Sequence, residues 1–272
     1  MMKKIYFLLP ISLLLLLNAC SKNDDPIEPQ GETAFVTTLF EYRPAPGQFI
    51  NLASYGTEEV ARKLLNGGSA TLSLGAWGGY VIYGFDHLVK NYSGQADFNI
   101  MGNAFEGSSE AGIVFVMHDT NGDGLPNDIW YELKGSEYAT ENYNKSRTVT
   151  YFRPENNSDF IRWEDTDGNE GEVSSKLFSF PEWVIGNALT ITAPHLTVSN
   201  LATNLRGYAD TFLPSGIGDM DIDNAVDENG NAVQLSGIHF VKIMTGSLQE
   251  LGILREFSTE ITAIKDLHFG KN

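Results

Sequence analysis

The chain is short of the groups on which most catalytic and nucleic-acid-binding sites are built. Only one of its 272 residues is cysteine, Cys20, so no intrachain disulfide can form and no thiol further along the chain can act as nucleophile or soft metal ligand. Basic residues are scarce: 18 Lys and Arg stand against 35 Asp and Glu, a net charge of −17. A field of that sign repels phosphate backbones and draws cations, which argues against nucleic acid as a partner. Neither G-x-S-x-G nor H-E-x-x-H occurs, and the five histidines (His87, His118, His195, His239, His268) are scattered. There is no internal repeat and no low-complexity block. No proline-rich linker follows residue 34, which predicts a single domain over 34–272.

What is present begins with the N-terminus. Lys3 and Lys4 precede an apolar run of about a dozen residues, too short and wrongly flanked for a membrane span and typical of a secretory leader. Leu17-Asn18-Ala19-Cys20 resembles a bacterial lipobox, which implies removal of residues 1–19 and lipidation of Cys20 as a membrane anchor. That explains a lone cysteine in an exported protein. Residues 20–33 are polar, acidic and proline-containing, the composition of a flexible tether. Losing Lys3 and Lys4 leaves 16 basic against 35 acidic residues, a net charge near −19.

Short β-branched and aromatic runs bounded by Gly, Pro, Asn and Asp fill the remainder: Tyr80–Phe85, Asp97–Met101, Gly112–Met117, Ile129–Leu133, Thr148–Phe152, Ala188–Thr192 and Gly237–Met244. Such runs predict an all-β, jelly-roll-like sandwich, and 27 glycines suit its many turns. One segment differs. Thr57-Glu-Glu-Val-Ala-Arg-Lys-Leu-Leu-Asn66, followed by two glycines, carries an N-cap, acids in the first turn and bases later, and predicts one short helix. Ser247–Gly252 is ambiguous, and residues 154–172 interrupt the strand pattern as an insertion would.

The stretch His118-Asp-Thr-Asn-Gly-Asp-Gly-Leu-Pro-Asn-Asp128 places Asp119, Asn121 and Asp123 at alternate positions with Gly124 next, the first half of a calcium loop. Leu125 offers its carbonyl, and Asn127 and Asp128 complete the candidate ligand set for a structural Ca²⁺. Position 12 is Trp130 instead of the bidentate glutamate of an EF-hand, so the expectation is a calcium-stapled connection between strands. An Asx-rich turn without metal fits the same residues. Glu164–Glu172 and Gly218–Glu228 also alternate acids and read as turns or solvated faces.

Five blocks carry a family resemblance: Glu41-Tyr-Arg-Pro-Ala-Pro-Gly-Gln-Phe-Ile-Asn51, Tyr83-Gly-Phe-Asp-His87, Gly102-Asn-Ala-Phe-Glu-Gly-Ser-Ser-Glu110, the acidic loop through Gly135-Ser-Glu-Tyr138, and Asp221-Ile-Asp-Asn-Ala-Val-Asp-Glu-Asn-Gly-Asn231. Together they resemble Bacteroidetes cell-surface lipoproteins of the PKD-associated type, often found in vitamin B12 uptake loci, over nearly the whole mature chain. The resemblance implies a surface-exposed outer-membrane lipoprotein that captures a corrinoid as an accessory to an outer-membrane transporter. It assigns no binding residue.

Without catalytic motifs the expected activity is binding, with a glycan as the alternative ligand and a polysaccharide-degrading enzyme as the rival of another class. A binding platform needs amphipathic aromatics. The candidates are Trp77 and Tyr80 in a glycine-rich run, Tyr42 and Phe49 around Pro44-Ala-Pro46, Trp163, and Tyr208, each of which also suits core packing.

Overall fold

The computed structural model describes residues 31–156, 160–173, 178–199, 202, 204–212, 218–249 and 257–271. The leader, Cys20, the tether up to residue 30 and the end of the Ser247–Gly252 segment lie outside the described residues.

The fold is the expected all-β sandwich, and every pair of neighbouring strands in its sheets is antiparallel. The largest sheet runs in the order Thr38–Arg43, Tyr80–Lys90, Gly237–Thr245, Gly112–Met117, Tyr131–Leu133, Ala225–Val226. Its Val81, Tyr83, Val114, Val116, Val241 and Ile243 form one buried face. That face packs on Phe98, Ile100 and Ile264 of a three-stranded sheet (Asp219–Met220, Phe98–Met101, Ala263–Asp266) and on Leu72 and Ile261 of a paired short ribbon. Ile113 and Met244 point the other way, into a second cluster with Leu196, Tyr208 and Phe257. Both faces being covered is why Gly112–Met117 reads as continuous apolar sequence and not as an alternation.

A four-stranded sheet, Glu170–Val173, Ile161–Asp165, Tyr143–Phe152, Ala188–Leu196, packs Val149, Tyr151 and Ile161 around Trp77. Its outer face pairs Thr148 with Thr192 and Thr150 with Thr190 through hydroxyl hydrogen bonds of 2.8 and 2.9 Å. Tyr143–Phe152 starts earlier than expected, because Asn144, Lys145, Ser146 and Arg147 are polar and give no apolar signal. The break at 154–172 contains a hairpin of this sheet. At its tip Asp165 Oδ1 accepts from the backbone N–H of Asp167 and Asn169, in agreement with the turn reading.

The short helix spans Glu58–Lys63. Thr57 Oγ1 accepts from Val60 N at 3.3 Å, Glu58 pairs with Arg62 and Glu59 with Lys63, and Val60, Ala61 and Leu64 are buried. Thr57→Ala removes the cap and is expected to lower stability by about 1 kcal/mol, a fall of about 2–4 °C in melting temperature for a domain of this size. Thermal melts of the two proteins check it, and an unchanged midpoint would show that tertiary packing alone holds the helix.

Candidate functional site: a histidine pocket and a buried acidic cluster

The loop after Gly112–Met117 carries Asp119, Asn121, Asp123, Leu125, Asn127 and Asp128, the residues that the spacing puts forward as calcium ligands. Their oxygens accept backbone N–H groups: Asp119 Oδ1 from Gly122 (2.8 Å) and Oδ2 from Gly124 (2.9 Å), Asp123 Oδ1 from Leu125 (2.8 Å), and Asp128 Oδ2 from Thr120 (2.8 Å). Asn127 donates to Asp123 Oδ2 at 2.9 Å, and this bond holds the Asp123 carboxyl below the usual carboxylate range. Amide dipoles thus meet the repulsion among the carboxylates. Gly122 and Gly124 both have φ of +72°, and a Cβ on either would meet nothing within 4 Å, so glycine is needed there for conformation and not for space.

Asp119, Gly122 and Gly124 form one rim of a cavity of about 460 Å³ that Phe40, Phe240, His118 and His239 also line. Two irregularities in the sheet build it. The register of Thr38–Arg43 against Tyr80–Lys90 shifts between Leu39 and Glu41, at Phe40. That of Gly237–Thr245 against the same strand shifts between Ile238 and Phe240, at His239. Bulges re-aim side chains, and these two turn theirs toward one place. The Phe40 and Phe240 rings meet edge to face at 5.3 Å over Gly84, where a Cβ would stand 2.7 Å from the Phe40 ring.

Hydrogen bonds set the two imidazoles apart. His118 Nδ1 lies 3.0 Å from Gly237 O, a pure acceptor, so Nδ1 carries a proton, and in the neutral ring Nε2 carries the lone pair. His239 Nδ1 accepts from Asp119 N at 3.1 Å, which gives its neutral ring the opposite tautomer. The rings are 5.1 Å apart. Behind them His87 is buried between Asp86 Oδ1 (2.8 Å) and Asp266 Oδ2 (3.0 Å). Burial opposes its charge, but those two carboxylates outweigh burial and hold its pKa above the usual histidine value.

The aromatic candidates do not converge, and three are corrected, Tyr208 among them because it is 1 % exposed and packs in the cluster with Ile113 and Met244. Trp77 has no exposed surface and donates from Nε1 to Pro194 O at 2.8 Å, and Tyr42 is buried and donates to Ser73 O at 2.7 Å. Both belong to the core. The glycines around Trp77 that suggest an open loop instead make a tight buried turn: Gly75 and Gly78 have φ of +72° and +86°, and a Cβ on Gly79 would fall 1.9 Å from Leu74 O. Tyr80 is half-buried on the outer face of the largest sheet, bonded to Glu41 Oε2 at 2.9 Å, with the Lys242 ammonium 4.1 Å from its ring centre. Burial first, and Glu41 second, push the Tyr80 hydroxyl up to about 12. Trp163 sits on the four-stranded sheet beneath the Arg147 guanidinium. Phe40, His118, His239 and Phe240 are absent from the sequence-based binding set. Their signal lies in pairing the runs before His118 and around His239, whose strands run antiparallel with Phe240 opposite Met117.

A second constellation was not legible in the sequence. Glu110, Asp210 and Glu260 each turn a carboxylate oxygen toward a common point, all within 4.8 Å of one another, and the three buried acids can hold a metal ion. Glu110 precedes Gly112–Met117 and Glu260 opens the Glu260–Ile261 strand. Asp210 has a left-handed φ of +53°. Asp210 Oδ1 accepts from the backbone N–H of Asn103 (2.9 Å) and Ala104 (3.0 Å), Oδ2 from that of Glu260 (2.9 Å), and Glu110 Oε1 from that of Ser258 (3.1 Å). Gly102 permits this approach, since a Cβ there would stand 2.0 Å from Asp210 Oδ1. Burial pushes the Glu110 and Asp210 carboxyls up to about 7 and that of Glu260 well above the ordinary range.

No family model and no curated protein matches this chain. Its chemistry is therefore read from its own side chains. Asp210 is fully buried, Glu260 is 3 % exposed and Glu110 is partly exposed, so an ion or a water can reach the cluster.

Proposed function

We propose that the protein is a non-catalytic, surface-displayed lipoprotein that captures a corrinoid at the His118 pocket and passes it to an outer-membrane transporter. The observation that carries this reading is the hydrogen bonding of His118. An imidazole that ligates a metal characteristically donates its other ring N–H to a carbonyl or carboxylate, and His118 donates Nδ1–H to Gly237 O with Nε2 left as a lone-pair donor. A corrinoid presents cobalt with axial positions that imidazole nitrogen can take. Phe40 and Phe240 supply apolar surface beside it, and His239 a polar group. A whole corrinoid exceeds the cavity, so the site holds one face and leaves the rest exposed for transfer. Calcium belongs to the same reading: bound by Asp119, Asn121, Asp123 and the Leu125 carbonyl, it would fix the rim on which Asp119, Gly122 and Gly124 stand.

Titration calorimetry and visible spectroscopy with aquocobalamin test it. Saturable binding is expected, with a shift of the cobalt absorption bands as imidazole replaces the axial water. His118→Ala should abolish the shift and weaken affinity at least ~10-fold, the loss of about 1.4 kcal/mol or more. Absence of binding up to high micromolar concentration, or a shift that survives His118→Ala, overturns the assignment. Binding of a glycan panel in its place would favour the glycan ligand.

A further inference from the structure

We propose that Glu110, Asp210 and Glu260 form a buried divalent-cation site, with Ca²⁺ as its ion, separate from the exposed 119–128 loop. Two independent observations meet there. One is the convergence of three carboxylates from segments up to 150 positions apart, within 4.8 Å of one another. The other is Glu260 Oε1, which is buried with no N–H or O–H donor on it although its residue is only 3 % exposed, its carboxyl facing that of Glu110, itself an acceptor when ionised. Buried polar atoms are nearly always satisfied, and an orphaned carboxylate oxygen inside an anionic cluster is the most costly kind to leave unpaired. A cation at the common point satisfies it and cancels the repulsion among the three acids.

The polar surroundings are those of a ligand cradle. The Asp210 oxygens and Glu110 Oε1 are aimed by backbone N–H groups of Asn103, Ala104, Glu260 and Ser258, and each keeps a lone pair for an ion. Asn103 Nδ2 lies 3.4 Å from Glu260 Oε2, and turning that amide over presents Oδ1 as a fourth oxygen donor. The donors are all hard oxygens, which disfavours zinc with its preference for nitrogen and sulfur. Enclosure disfavours Mg²⁺, which gives up its waters reluctantly, whereas Ca²⁺ accepts mono- and bidentate carboxylates in flexible geometry. The ion would tie the Gly102–Glu110 segment, the Asp210 segment and the strand that begins at Glu260 to the edge of the largest sheet.

The test uses protein stripped with EDTA, then titrated with CaCl₂ and followed by calorimetry and thermal melting. It compares wild type, Glu260→Gln, and a loop variant carrying Asp119→Asn with Asp123→Asn. Wild type and the loop variant should both gain several degrees in melting temperature on calcium addition, reversibly with EDTA, since a ligand bound only by the folded state must stabilise it. Metal-free Glu260→Gln should melt at or above metal-free wild type, because a buried acid is replaced by a neutral amide, yet bind calcium at the cluster at least 10-fold more weakly and lose the part of the gain that the loop variant retains. Glu110→Gln gives the same readout should Glu260→Gln fail to fold. A calcium response that persists in both glutamine variants and vanishes in the loop variant overturns the proposal. So does a wild type that takes up no calcium, which would mean that protons alone neutralise the cluster.

Discussion

Trp77→Ala is expected to destabilise the folded chain by about 3–5 kcal/mol, the range for emptying a large aromatic site in a packed core. Trp77 joins two layers. Its ring lies in the cluster with Val149, Tyr151 and Phe180, its Nε1 donates to Pro194 O at 2.8 Å, and its own carbonyl accepts from the Tyr151 hydroxyl at 2.9 Å. Alanine leaves a cavity and a buried carbonyl without its donor, two costs that add. Trp77→Phe keeps most of the volume and should show the smaller loss. Urea denaturation of the three proteins measures this. A Trp77→Ala protein as stable as wild type but defective in ligand binding would return Trp77 to the binding surface and contradict its burial.

Acidification should unfold the protein partly through His195. Its Nε2 accepts from Leu248 N at 3.3 Å and faces Arg147 Nη1 at 3.1 Å, so the ring is held neutral with its proton on Nδ1. Burial first, then the Arg147 charge, depress its pKa to about 4, while Asp165 acts weakly in the other direction. The folded state therefore binds this proton less readily than the unfolded chain. The stability His195 contributes is complete above the unfolded value of about 6.5 and is lost as pH falls from there to about 4. A difference of that size corresponds to roughly 3–4 kcal/mol. The acidic cluster works in the opposite sense: Glu110, Asp210 and Glu260 have raised folded pKa values, so without an ion they favour the folded state as pH falls from about 7. The clean measurement is thus the difference between wild type and His195→Gln, which keeps a hydrogen-bonding side chain and does not titrate. That difference should shrink as pH falls from 6.5 toward 4, and a difference independent of pH would remove His195 from the acid response.

Local composition determined the architecture of this protein. Runs such as Gly112–Met117 and Gly237–Met244 read as strands, because β-branched and aromatic side chains crowd a helix and suit a pleat. Thr57 with Glu58 and Glu59 ahead of Arg62 and Lys63 specifies the helix by capping and dipole chemistry, which acts within one turn. The Asp119–Asp128 loop is equally local, since Asx turns and left-handed glycines close on neighbours a few positions away. The tertiary structure alone decided which distant side chains meet. Register shifts at Phe40 and His239 bring two strands' side chains into one pocket with His118, and a one-residue slip would send them to the other face. Glu110, Asp210 and Glu260 share no motif because their convergence depends on three segments folding together around Gly102. Trp77 lies in a glycine-rich run that looks exposed, and only close backbone packing, which spacing does not encode, places it in the core.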